Sequence, residues 1–449
     1  MTTNKKSVRQ IALEVLDSVE RNQSYSNLLL NKMITKHKLS GLDAGLLTEL
    51  TYGTIQRKMT LDFYLSPFVK FNKTQGWIVN LLRLSLYQMI YLDKIPDHAV
   101  LFEAVEIAKK RGHKGNTSMV NGVLRNIQRK GILPLDEIKD RTERISIETS
   151  HPKWIVERWV EQFGYEKTYE MCMENLLAPV QTARVNIRKA ARNEALSLLR
   201  EEGFEVEASQ VTPDGIKALR GNLTHSEAFN AGFFTIQDES SMLVGYALGA
   251  EGDEQVLDAC AAPGGKSTHI AERLSDKGRV VALDLHEHKV KLINEQAERL
   301  GLTNIKTRVY NSKKVQEIFG LGQFSRILID APCSGLGVMR RKPDIKYTKT
   351  EKDIASLAGI QLELLDAAAP LVQKGGTLVY STCTVDKEEN ENVAQRFLEE
   401  HPEFEEDLSL RERLPLPAQP LVSGHMIQVL PQDFGSDGFF IASFKRKVK

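Results

Sequence analysis

From about residue 241 the sequence alternates short apolar runs with amphipathic stretches, and that alternation leaves few folds open. Residues 255–258, 280–284, 305–309, 327–330 and 377–380 read as buried strands. Residues 266–274, 286–300, 313–319, 352–372 and 388–399 read as the helices between them. Regular strand–helix alternation predicts a parallel, doubly wound α/β sheet. The tail breaks the rhythm: 426–430 and 439–444 are two strands with only the turn-rich 431–438 between them. A parallel crossover needs a dozen or more residues, so these two are expected to pair antiparallel.

Residues 1–135 carry helical periodicity alone. Val8, Ile11, Ala12, Val15, Leu16 and Val19 fall on one helix face. Further helices are expected over 46–57, 74–92, 99–111 and 118–130, with Asp97 and Asn116 as caps, together an all-α bundle. Residues 131–150 read as a linker. A helix pair over 154–175, strands at 183–187 and 204–208 and a helix over 193–202 then suggest a small α+β module. The chain has 449 residues, and about 150 residues per domain is a common prior. Three domains follow: 1–135, 136–240 and 241–449.

Charge is nearly balanced, with 60 Lys and Arg against 59 Asp and Glu. A polyanionic partner must therefore be met by local charge. Lys109, Lys110, Arg111, His113 and Lys114, with Arg125, Arg129 and Lys130 near them, suit a solvated helix end as well as an RNA contact. The opening MTTNKKSVRQ lacks an apolar core before a cleavage site, and no run of 18 apolar residues occurs. Neither a signal peptide nor a membrane span is expected, and a cytoplasmic protein is. The four cysteines, Cys172, Cys260, Cys333 and Cys383, form no CxxC pair. A metal site and a disulfide framework are both unexpected, and burial is the default for each cysteine.

The first strand of the α/β region runs into Asp258-Ala-Cys-Ala-Ala-Pro-Gly-Gly-Lys-Ser267. Ligands of open α/β sheets bind beyond the carboxyl ends of the strands, and Gly264 and Gly265 let the backbone approach one closely. Asp284 ends the second strand, where a carboxylate commonly accepts bonds from a ribose diol. A phosphate-binding GxxxxGK[ST] loop needs glycine at 260, where this chain has Cys260, and Pro263 removes an N–H that such a loop uses. GxGxxG is absent too. The turn suits a nucleoside ligand without phosphates, and S-adenosylmethionine is the common one.

Two further strand ends carry thiols: Asp330-Ala-Pro-Cys333-Ser-Gly-Leu-Gly and Tyr380-Ser-Thr-Cys383-Thr. Either cysteine alone would be read as buried. Both lying just past a strand end, in loops with Pro, Gly or Ser, is hard to assign to packing. Methylating C5 of cytosine needs an activated thiol to add to C6, a group to handle the C5 proton, and a partner for the N3/N4 edge. Cys333, Cys383 and Asp330 offer these groups on one edge of the sheet. Cys172 lacks such a pairing, and so does Cys260 as a thiol.

At DACAAPGGKS, ALDLH, DAPCSGLG and STCT the sequence resembles the RNA cytosine-5 methyltransferases, and ELTYGTIQRK and IPDHAVLFEAVEIAKK resemble a NusB-type RNA-binding bundle. That fusion is the layout of the branch acting on cytosine 967 of bacterial 16S rRNA. The resemblance implies a NusB-like bundle, a small α+β RNA-binding or linker module, and a Rossmann-like methyltransferase domain. It implies Cys383 as the nucleophile and Cys333 as the group assisting proton removal and release. It implies Cys260, Ala261, Ala262, Pro263, Gly264, Gly265 and Lys266 as the wrap of S-adenosylmethionine, Asp284 on its ribose, and Asp330 between cofactor and base. Asn311 stands where the family usually has an acid on the adenine side, and an amide oxygen can still accept the amino group. Thr384 replaces the more usual Ser. Arg340, Arg341 and Lys342 resemble the family's basic stretch near RNA, suited to phosphates beside the target. The implied partner is 16S rRNA, its cytosine unpaired or flipped from the stack, with the protein acting as a monomer and without metal or membrane.

Overall fold

The computed structural model describes residues 6–22 and 26–449, so the first five residues of the N-terminal reading lie outside the described residues. The chain forms two units: Met1–Leu177 with Met339–Thr348, and Ala178–Val338 with Lys349–Lys449.

The first unit is helical. The helix Val8–Asn22 buries Ile11, Ala12, Val15 and Leu16. Gly76–Tyr91 is buried on every side from Trp77 to Gln88, which suits the central helix of a bundle. Gly41–Gln56, Asp97–Arg111 and Lys114–Lys130 surround the same core. Two helices escape the periodicity reading. Ser26–His37 buries only Ser26, Leu30 and Met33, and Lys58–Leu65 is just eight residues long. Both expected caps are corrected. Pro96 occupies the cap before Asp97, and His113 caps Lys114–Lys130 by accepting from the Gly115 N–H, leaving Asn116 inside the helix.

Residues 131–150 are not all linker. Arg141–Thr149 is a helix whose Asp140 cap accepts from the Glu143 N–H at 2.6 Å. Its buried face is Ile145, Ser146 and Thr149, and two polar members hide the apolar period. With Lys153–Phe163 and Tyr165–Glu174 it falls in the first compact unit.

The second unit opens with an antiparallel sheet of β1 (Gln181–Val185), β2 (Glu205–Ala208), β3 (Gly215–Arg220) and β4 (Phe234–Ile236), in the order β2-β3-β1-β4. β3 and β4 were not expected: β3 starts on glycine and ends in exposed residues, and β4 has three residues. The large sheet contains β5 (Gln255–Asp258), β6 (Arg279–Asp284), β7 (Ile305–Val309), β8 (Phe324–Asp330), β9 (Val372–Thr382), β10 (Phe404–Glu406), β11 (Val422–Ser423), β12 (Met426–Val429) and β13 (Phe439–Arg446). Its order is β11-β12-β13-β9-β8-β5-β6-β7, with β10 on β13. β5 to β9 are parallel, and the tail strands join antiparallel, β12 pairing with β13. β5 lies between β6 and β8, so the chain reverses direction across the sheet there, the usual place for a ligand crevice.

The expected helix over 313–319 is a 3-10 segment, Ser312–Glu317. The helix Glu351–Ala368 with its extension to Leu371 has the length and apolar content of a membrane span, but Leu362, Leu364 and Leu365 are core residues beside β8 and β9.

Candidate active site

β5, β6, β8 and β9 end on one edge, with Asp258 beside Leu328 and Asp330 beside Ser381 in register. A cleft of about 400 Å³ opens beyond these ends. Its lining brings together Cys260, Ala262, Asp284, Asn311, Asp330, Cys333 and Cys383 from five separate loops. The parallel pairing of β8 with β9 is what aligns the two thiol-bearing loops.

The sulfurs of Cys333 and Cys383 are 3.3 Å apart, and both residues are partly exposed. The Cys383 carbonyl accepts from the Gly337 N–H at 3.1 Å. A Cβ at Gly337 would stand 2.1 Å from the Gly438 carbonyl oxygen, so only glycine permits the Cys333 loop to lie this close.

Asp330 is held on both oxygens. Lys266 Nζ donates to Oδ2 at 2.8 Å and Ser381 Oγ to Oδ1 at 2.8 Å. Burial opposes the charge of Lys266, but Asp330, Cys383 and Asp258 outweigh it and raise the ammonium's pKa, so it stays protonated. An ammonium near a thiol favours the thiolate, and Cys383 is among the groups whose charge acts on Lys266. The adjacent sulfur, then burial, pushes Cys333 well above the ordinary thiol range.

The other cysteines are inert. Burial, with Asp258, Asp330 and Asp284 nearby, pushes Cys260 upward, and burial pushes Cys172 to about 12.

The expected cofactor wrap divides. Cys260 and Ala262 line the cleft, whereas Ala261 is core and Pro263 points to solvent. Gly264 packs against Ile293, and the Gly265 carbonyl accepts from Arg184 at 2.9 Å. Lys266 pairs with Asp330 and lies over the Phe439 ring. Asp284 accepts from the His286 N–H at 3.1 Å through Oδ1. Asn311 Oδ1 caps Lys313 N–H at 3.1 Å, so that acceptor already has one partner. The donor set nonetheless fits an adenosyl group: a strand-end carboxylate for a diol, an amide beside it, and Ile360 and Leu364 as apolar wall.

The basic stretch separates too. Arg340 is 5% exposed and pairs with Glu174 at 3.1 Å inside the helical unit. Arg341 is half-buried and Lys342 exposed.

Three residues behind the thiols were not foreseen: Ser334, Gln361 and Glu389 form a buried network at the base of both loops. Glu389 sits in the acidic run EENEN, which reads as a solvated helix start.

Three family models match the chain: 16S rRNA methyltransferase RsmB/F over residues 245–445, the NusB family over 6–129, and the ferredoxin-like domain of RsmF/B-like methyltransferases over 151–222. A "Probable ribosomal RNA small subunit methyltransferase B" of Bacillus subtilis is 55% identical, covering 99% of each chain. The "Ribosomal RNA small subunit methyltransferase B" of Klebsiella pneumoniae is 34% identical over 98% of each. Among solved structures, PH0851 superposes with a TM-score of 0.82 at 27% identity, covering 99% of this chain and 100% of that one.

Proposed function

Because the chain belongs to the RsmB/F family of 16S rRNA methyltransferases, which use S-adenosylmethionine, we propose that it methylates C5 of a small-subunit rRNA cytosine, number 967 in ribosomal numbering, through a covalent bond from Cys383 to C6. The observation that carries this reading is the pair of sulfurs 3.3 Å apart at the cleft where Asp284 and Asp330 converge.

Cys383, beside the Lys266 ammonium, adds as thiolate to C6 and makes C5 nucleophilic. Bound S-adenosylmethionine supplies the electrophilic methyl group. Asp330, oriented by Lys266 and Ser381, accepts a hydrogen bond from the cytosine amino group. Once Cys383 is bonded to carbon and no longer raises the neighbouring thiol, Cys333 releases its proton to water, and its thiolate accepts the C5 proton. The C5–H electron pair restores the C5=C6 bond and expels the Cys383 thiolate. Arg341 and Lys342 bind RNA phosphates, and the helical bundle and the small sheet each contact RNA. The base enters unpaired or flipped.

Cys383→Ala is expected to abolish methylation, read by bisulfite sequencing of small-subunit RNA, while S-adenosylmethionine binding persists. Cys333→Ala is expected to trap a protein–RNA adduct as a slow band on a denaturing gel. Full methylation by Cys383→Ala, or no adduct with Cys333→Ala, overturns the respective assignment.

A further inference from the structure

Glu389 is wholly buried, and its carboxylate lies behind the two thiols. Oε1 accepts from the Ser334 N–H at 2.8 Å and from Gln361 Nε2 at 3.0 Å. Oε2 accepts from the Ser334 hydroxyl. Gln361 Nε2 also donates to the Pro332 carbonyl at 3.0 Å, so the residues on both sides of Cys333 are gripped. Ser334 Oγ lies 2.9 Å from Thr384 Oγ1, which follows Cys383 directly. The Tyr380 hydroxyl reaches the Glu389 carbonyl at 2.5 Å and ties the same residue to β9. A buried carboxylate costs several kcal/mol unless its oxygens are satisfied, and here every recorded partner belongs to one of the two thiol loops or braces it.

We infer that Glu389 is a positioning residue that sets the separation of Cys333 and Cys383. Its hold on the loops passes through Ser334, Gln361 and Thr384. Displacing either loop by about 1 Å costs a sulfur-to-base step on the order of 100-fold. The consequence for catalysis rests on the reading of the two thiols above, whereas the consequence for sulfur spacing does not.

Two readouts separate these. Phenylarsine oxide condenses with two adjacent thiols, forming two As–S bonds and releasing one water, and resists a monothiol but not a dithiol. The intact protein is expected to take up one equivalent that monothiol does not remove, and Cys333→Ala none. Glu389→Ala is expected to lose monothiol resistance by about tenfold or more, and Glu389→Gln to keep it. The glutamine oxygen still accepts from Ser334 N–H and Gln361, and its amide donates to Ser334 Oγ. Ser334→Ala, which keeps the carboxylate, is expected to fall between and serves if Glu389→Ala does not fold. In single turnover, Glu389→Ala is expected to bind S-adenosylmethionine normally yet accumulate the protein–RNA adduct. Arsenical retention equal to the unaltered protein in both Glu389→Ala and Ser334→Ala overturns the inference. If arsenical retention falls as expected while Cys383→Ala still methylates, the spacing role stands and the assigned chemistry fails.

Discussion

Gly264 has φ +107°, and a Cβ built on it stands 3.2 Å from the Ile293 Cα. Its glycine is needed by the turn and by the helix Glu287–Leu300 packed behind it, before any ligand is considered. Gly264→Ala is therefore expected to destabilise the second unit by about 1–3 kcal/mol, from left-handed strain and the close backbone. Urea denaturation measures this, and a neutral result removes the packing account. The sequence shows a glycine but not its neighbour, so this packing demand was not legible. Cys333 and Cys383 were legible because each follows a strand end directly, and chain position alone places it on the rim. Glu389 and Arg340 were not: each sits in a charged run, and only burial distinguishes a structural carboxylate or guanidinium from a solvated one.

At the scale of elements, seven of the nine strands of the large sheet were legible as short runs bounded by turn residues, while β10 and β11, with three and two residues, were not. β3, β4 and Arg141–Thr149 were not, since polar or exposed residues interrupt their periods. The segment Met339–Thr348, only a few residues beyond Cys333, belongs to the helical unit. Gln56 Nε2 donates to the Met339 carbonyl at 3.0 Å, Tyr347 OH to the Ile55 carbonyl at 3.0 Å, and Lys346 Nζ to the Gln56 carbonyl at 2.8 Å. Burial lowers the Lys346 pKa from 10.5 to about 7. The folded chain then holds that proton less tightly than the unfolded one. Between about pH 7 and 10.5 the unfolded state binds more protons, so this lysine's contribution to stability rises with pH and levels off below 7. In Lys346→Met that slope is lost. The melting temperature of the unaltered protein is expected to gain on the variant from pH 7 to pH 10, and parallel curves would remove the buried-lysine account.

Across the whole molecule, the small sheet and the large one lie in one unit and share a buried ionic seam. Arg184 on β1 donates from Nη2 to Glu272 Oε1 at 2.7 Å and from Nε to Oε2 at 3.1 Å, both side chains being fully buried. Nη2 also reaches Thr268 Oγ1 at 3.2 Å, and Nη1 the Gly265 carbonyl at 2.9 Å and Gln237. One guanidinium thus ties the small sheet to the helix Gly265–Arg273 that starts beside the cleft. Nothing in the spacing of 184 and 272 announces this, since the two lie far apart in sequence and both residue types are usually exposed. Removing only the arginine leaves a buried carboxylate alone, so Arg184→Met is expected to cost about 3–5 kcal/mol. Burial already raises the Glu272 pKa, and without its partner that carboxyl is expected to take up a proton on folding. The double variant Arg184→Met/Glu272→Leu removes both charges and is expected to recover most of the loss, a strong departure from additivity. Chemical denaturation of the two single variants and the double closes the cycle. Additive losses would show that the seam holds the sheets by packing and not by the paired charges.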